Sequence, residues 1–272
     1  MKKSFTAFVF LFAVIVCTLP QNTFADDPKA RAIMEKVDAR DDGDNQTANM
    51  EMVLVDKKGQ ERVRKIHTFS KDKGKDTLKL MFFLHPADVK DTAFLTYDYD
   101  DPDKDDDQWL YLPALRKTKR IATADKSGSF MGSDLNYSDM TSLDLEDYDY
   151  SFYEEGKESE VRGKKVYVIW SVPRSKKVID ETGYEKSLVF VRPDIDMVVR
   201  GIRWVKDGGY LKYIDVKNLE KIDDIWVATE TLVTKKKGKT TVHKTILTLD
   251  DVKFNQNLDD DLFTIRRMEK GL

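Results

Sequence analysis

Alternation is the dominant pattern along this chain. From Thr47 onward apolar and polar residues exchange places at nearly every second position, the period of a strand with one face buried and one solvated. Met50, Met52 and Leu54 share one side of a first strand. After a turn at Asp56-Lys57-Lys58-Gly59 comes a second strand, 61–69. A third spans 77–84, with Leu78, Leu80 and Phe82 facing one way and Lys79, Met81 and Phe83 the other. Gly-containing turns between successive strands predict an antiparallel meander. Pro86 ends it and 94–97 resumes it. A strand carrying Trp109 and Tyr111 follows, breaks at Pro113, and continues as a basic strand over 116–121. Seven more strands are predicted at 148–153, 165–172, 187–192, 198–206, 210–216, 225–234 and 240–249. Turn signals punctuate them at Gly163, Pro193-Asp194, Gly208-Gly209, Asn218 and Gly238.

Helical spacing is confined to two places. Ala30, Ile33, Met34 and Val37 predict a helix over 27–39, with Asp27 as N-cap and Pro28 in the first turn. Residues 259–263 predict one helical turn near the end. No glycine fingerprint, βαβ alternation or internal repeat is present, which argues against a nucleotide-binding fold. The expected class is mainly β: one large, strongly curved antiparallel sheet.

The hairpin after Lys206 tests facing directly. A two-residue turn at either Asp207-Gly208 or Gly208-Gly209 places Ile202, Trp204, Leu211 and Tyr213 on one face and Arg203 with Lys212 on the other. The expectation is an apolar, partly aromatic face turned inward and a charged face turned outward. A single curved sheet with few helices cannot close its apolar face by packing on a second sheet. It must close as a barrel or enclose a cavity under short helices. The expected lining is Met50, Met52, Leu54, Leu78, Leu80, Phe82, Trp109, Tyr111, Trp170, Ile202, Trp204 and Tyr213. Phe130 and Met131, in a Ser/Gly loop, are the expected lid contacts.

Composition alters this picture at the N-terminus. Lys2 and Lys3 precede an apolar stretch over 5–17, and Thr23-Phe24-Ala25 supplies small residues for cleavage. This is the pattern of a secretory signal, too short for a stable membrane span. Cleavage after Ala25 leaves 26–272 as a single expected domain in the periplasm, and removes Cys17, the only cysteine. It also removes two positive charges, taking the formal net charge from −3 to −5. A weakly acidic chain has no electrostatic reason to seek nucleic acid.

Candidate chemistry adds little. His67, His85 and His243 are far apart, with no HExxH spacing, so no metal is expected. The acidic run at 98–107 resembles a calcium loop at Asp101, Asp103 and Asp105. However, Asp106 stands where glycine is required and Leu112 where the bidentate Glu belongs. The serine-rich loop 127–133 matches neither GxSxG nor SxxK. The basic runs at 174–177 and 235–239 read as solvated hairpin tips, with contact to anionic headgroups as the alternative.

The segments DDDQWLYLPALRKTKRI and DKSGSFMGSDLNYSDM, covering 105–121 and 125–140, resemble the outer-membrane lipoprotein-sorting family, LolA/LolB-like proteins often linked to resistance-nodulation-division exporters. The resemblance implies a half-open β-barrel of about eleven strands, with helices lidding a hydrophobic cavity. It implies non-covalent carriage of phospholipid or lipoprotein acyl chains across the periplasm, without catalysis or cofactor. The implied partners are an exporter, an outer-membrane acceptor and transiently a membrane. An adaptor docking an exporter, or an envelope hydrolase, is the alternative.

Overall fold

The computed structural model describes residues 25–272, so the expected signal, Ala25 apart, lies outside the described residues, as does Cys17. Helix α1 (Pro28–Asp38) opens the fold, and the Asp27 carboxylate caps it by accepting from the backbone N–H groups of Lys29 and Ala30. The meander follows as β1 (Asn45–Asp56), β2 (Glu61–Lys73), β3 (Asp76–His85), β4 (Ala93–Asp98), β5 (Asp107–Leu112) and β6 (Lys117–Arg120). After a long irregular segment come β7 (Tyr148–Phe152), β8 (Ser159–Val161), β9 (Lys164–Pro173), helix α2 (Lys176–Thr182), β10 (Tyr184–Arg192), β11 (Met197–Val205), β12 (Tyr210–Ile222), β13 (Ile225–Lys237) and β14 (Thr240–Phe254). Helix α3 (Ile265–Lys270) closes the chain.

The strands form one antiparallel sheet ordered β6-β5-β4-β3-β2-β1-β14-β13-β12-β11-β10-β9-β7, with β8 paired to β9. Fourteen strands replace the expected count of about eleven. Sequence order breaks where the first strand pairs with the last, Met50 opposite Leu249. The sheet is curved but not closed. Its edges are β6 and β7, and residues 121–147, which join them in sequence, pass across one face. That face, which α1 also covers, is the inner face.

Two local expectations change. Asn218 is not in a turn: β12 runs through it with a register shift, and its amide donates to Thr229 Oγ1. The chain reverses instead at Asp223 and Asp224, both at positive φ. The basic run at 174–177 is not a hairpin tip but the start of α2, capped by Ser175 Oγ and ended by Gly183 at φ +78°. Seven residues with one buried apolar side chain, Val178, are too few to show a helical period. β8, three residues long, escapes notice for the same reason. In the hairpin after Lys206, Trp204 sits opposite Leu211, the register of an Asp207-Gly208 reversal.

In the β1–β5 half, both faces are covered. On the inner face, Met52, Leu54, Ile66, Phe83, Phe94 and Leu110 pack under the crossing segment, with Phe130 at their centre. On the outer face, Leu78, Leu80, Phe82 and Leu95 pack against Phe263 and Met268 of the C-terminal turn and α3. Tyr97 fastens this cover by donating to the Phe263 carbonyl, 2.6 Å. In the other half, α1 sets Ala30 and Met34 against Tyr150, Ile169 and Val191 on the inner face.

Candidate functional site

The site is built by the segment that crosses the inner face. Its apolar residues follow the contour of the sheet. Phe130 is 1% exposed and its ring lies 5.0 Å from Phe94 and 5.6 Å from Tyr137. Met131, at φ +50°, packs beside it, and its carbonyl accepts from Arg64. The expected lid pair therefore rests on Met50, Met52 and Leu54, the expected lining residues of β1, as a plug in the interior.

The other expected lining residues do not face this interior. Leu78, Leu80, Phe82, Trp109 and Tyr111 belong to the outer cluster under α3. Trp170 opposes Leu188, which opposes Ile202, which in turn opposes Tyr213. These residues share the outer face with Trp204, whose ring lies 5.2 Å from Trp170. Lys186 sits over both indoles, at 4.8 and 5.1 Å. The expected pairing of faces in the β11–β12 hairpin is correct, but its direction is reversed. Arg203 and Lys212 point inward.

That reversal depends on partners from the crossing segment. Asp139 pairs with Arg203, and its other oxygen accepts from Tyr184 Oη, 2.8 Å, and from the Asn136 backbone N–H, 2.7 Å. Lys212, 4% exposed, donates to Asn136 Oδ1 and Tyr184 Oη at 2.8 and 2.9 Å. Burial, with Arg203 and Lys235 nearby, pulls its pKa down to about 8 against the attraction of Asp139. Buried polar groups are stable only when hydrogen-bonded. Here the sheet supplies the cations and the loop the acceptors. Sequence spacing gave no sign of this network, because Asn136 and Asp139 are 45 to 76 residues from their partners on the sheet.

Two cavities with apolar walls flank the inner cover. A groove of about 700 Å³ lies along the flank of α1 and is floored by Ala32, Ile33, Phe152, Tyr167, Val168 and Pro193. The loop after β7 overhangs it, tied by Glu155 to Lys29 and by Glu158 to Lys165. These ion pairs are exposed, where solvent screening and side-chain freedom leave them little weight, so the loop is held weakly. A second chamber of about 350 Å³ begins just beyond the C-terminal end of α1 and is lined by Met50, Met81, Met197, Trp226, Leu249 and Phe254. Of the expected lining residues, Met50 reaches this chamber.

The remaining candidates for chemistry are occupied structurally. Ser129 Oγ donates to the Ser133 carbonyl and Ser133 Oγ to the Phe130 carbonyl, both at 2.7 Å. Each hydroxyl proton is thus spent on the backbone, although the Asp134–His243 pair lies close by at 2.7 Å. In the acidic run, Asp105 engages Lys177 and Thr123, Asp106 accepts from the Tyr99 backbone, and Asp107 pairs with Arg120. Among the described residues no group of three His, Cys, Asp or Glu side chains could hold a metal. Asp144 faces this acidic corner, and burial together with neighbours led by Asp106 pushes its pKa up to about 6.

Relatives share this arrangement of sheet and cover. A family model described only as an uncharacterized protein matches residues 75–270. No curated protein matches the chain. A solved domain from Vibrio parahaemolyticus, described as an outer membrane lipoprotein-sorting protein, is 30% identical with a TM-score of 0.78, covering 89% of this chain and 98% of its own. A DUF1329 family protein from Desulfovibrio piger is 28% identical with a TM-score of 0.80, covering 90% and 99%. A LolA superfamily protein from Nitrosomonas europaea is 18% identical with a TM-score of 0.65 over 87% and 98%, which extends the likeness in fold. With nearly all of the Vibrio domain matched at that identity, and with one curved, unclosed sheet beneath a helical and looped cover, this chain belongs to the outer membrane lipoprotein-sorting family and has a LolA-like fold.

Proposed function

We propose that the protein is a non-enzymatic carrier in the periplasm that binds the acyl chains of a phospholipid or lipoprotein in the cavities around its inner cover. The observation that carries this reading is the α1 groove. Its volume of about 700 Å³ falls within the ~300–1,000 Å³ of ordinary ligand pockets, and its floor is aliphatic and aromatic. Burial of methylenes contributes about 0.8 kcal/mol each, so no cofactor is needed to hold the cargo. The secretory signal in the sequence supports an envelope location. No helix among the described residues is long and apolar enough to cross a membrane.

Loading begins in the groove, beneath the weakly tied loop after β7. Movement of Phe130 and Met131 away from β1 then adds Met50, Met52 and Leu54 to the lined space. Methionines suit this role because their flexible thioethers adapt to irregular chains. Cargo passes between an exporter of the resistance-nodulation-division type and an outer-membrane acceptor.

The test is native mass spectrometry with lipid extraction on protein purified from its own envelope, alongside titration with a fluorescent fatty acid. Bound lipid and saturable uptake are expected. Ala32→Trp, at an exposed position of α1 lining the groove, should cut uptake at least tenfold without loss of stability. Protein that emerges empty and takes up no fatty acid would sink the proposal.

A further inference from the structure

The inner face carries a row of four basic side chains that carriage of an acyl chain does not use. Arg203 of β11 is the direct cross-strand neighbour of Lys212 on β12, Lys212 of Lys235 on β13, and Lys235 of His243 on β14. Like charges placed directly opposite one another destabilise a sheet. The ends of the row are compensated: Asp139 pairs with Arg203, and Asp134 Oδ2 lies 2.7 Å from His243 Nδ1. Asp56 follows as the cross-strand neighbour of His243, with its carboxylate turned to the backbone N–H groups of Lys58 and Gln60.

The middle of the row has no carboxylate in direct contact, although Asp139 and Asp134 attract Lys212 from farther off. Lys212 is 4% exposed, and its two hydrogen-bond partners, Asn136 Oδ1 and Tyr184 Oη, are neutral. An ammonium has three donors, so one N–H is left over. Lys235 rests over the Tyr210 ring, 4.7 Å from its centroid. Among the described residues neither lysine makes an ion pair. A buried cation without a counter-charge is costly. Both lysines and His243 line one polar pocket of about 550 Å³, whose other walls include Ser127, Lys206 (paired with Asp180) and two carboxylates, Asp207 and the His243-bound Asp134. The pocket is separate from the α1 groove and the methionine-lined chamber, with which it shares no lining residue.

We infer that this pocket is an anion site for a phosphoryl-bearing ligand, whose charge completes the row between Arg203 and His243. Donors on three neighbouring strands, together with the Ser127 hydroxyl of the crossing segment, converge from several directions. That arrangement suits a tetrahedral oxyanion, which offers more acceptor oxygens than a carboxylate. The pocket exceeds a bare phosphate in size, so the ligand is an ester, either a lipid headgroup or a soluble phosphate monoester.

The test is a titration of the full chain with inorganic phosphate at constant ionic strength, against chloride, followed by the NMR signal of the Lys212 side-chain nitrogen. Saturable binding is expected, with the Lys212 titration midpoint moving upward because a bound anion favours the charged form. Lys212→Gln and Lys235→Gln should each weaken binding at least tenfold. Ala32→Trp should leave it unchanged, which separates this site from acyl-chain uptake. Displacement of phosphate by phosphatidylcholine vesicles containing phosphatidic acid, but not by phosphatidylcholine alone, assigns the site to a headgroup. Displacement by glycerol phosphate but not by either vesicle assigns it to a soluble ester. A phosphate response no different from chloride, or wild-type binding in Lys235→Gln, overturns the inference, and the half-buried Lys235 decides the matter even where Lys212→Gln fails to fold.

Discussion

The β3–β5 region and the β11–β13 region use the same alternation to opposite ends. In β3, Leu78, Leu80 and Phe82 are sealed on the outside by α3 while Met81 and Phe83 are covered on the inside by the crossing segment. In β11 and β12, Ile202, Trp204 and Tyr213 form an uncovered, half-buried outer face while Arg203 and Lys212 go inside. Neither outcome follows from hydrophobicity ranked strand by strand. What differs is the cover. α3 brings Phe263 and Met268 to one region, and nothing among the described residues brings an equivalent to the other. The segment that crosses both brings Phe130 to the first and Asp139 and Asn136 to the second.

The largest effects should come from removing what that segment supplies. Asp139→Asn leaves Arg203 buried without its counter-charge and should cost about 3–5 kcal/mol in denaturant unfolding. A double substitution with Arg203→Met should recover much of that loss, and additive losses would refute the pairing. Phe130→Ala should cost a similar ~3–5 kcal/mol, because the ring sits 1% exposed among Phe83, Phe94 and Tyr137. A loss under 1 kcal/mol would mean that the segment is not seated as a plug.

A pH profile sharpens the contrast at intermediate size. Lys212 has a folded pKa of about 8 against 10.5 unfolded. Between those values the unfolded chain holds the proton and the native chain does not, so stability rises with pH by roughly 1–3 kcal/mol. Buried Tyr148, Tyr150 and Tyr184 oppose this above pH 10, since their raised pKa values make stability fall as pH climbs. The difference between wild type and Lys212→Met over pH 8–10 isolates the lysine. Identical profiles would show that Lys212 remains charged.

The smallest effect belongs to the outer face. Trp204→Ala removes one of two half-buried indoles 5.2 Å apart and should cost about 0.5–1.5 kcal/mol. A loss above 3 kcal/mol would mean that this face is core after all.

Much of the framework was legible in the residues. α1 and its Asp27 cap, thirteen of the strands and the sharing of faces across the β11–β12 hairpin all follow from period and turn chemistry. α2 and β8 were not legible, because seven and three residues are too few to display a period. Met50 was expected as a lining residue from strand alternation alone, and the structure places it beside the second chamber. The groove residues Ala32, Phe152 and Tyr167 were missed because the groove forms between a helix and a sheet edge more than a hundred residues away.

Alternation by itself determined which side chains travel together: Leu78 with Phe82, Ile202 with Tyr213, Arg203 with Lys212. A strand places neighbours on opposite faces whatever surrounds it, so this information is local. Tertiary structure alone decided which face is inside. That choice rests on long-range covers: the pairing of β1 with β14, the seating of α3 on the outer face, and the passage of residues 121–147 from one sheet edge to the other. A charged face can go inside only where a distant segment delivers its hydrogen-bond partners, and no period in the sequence records that meeting.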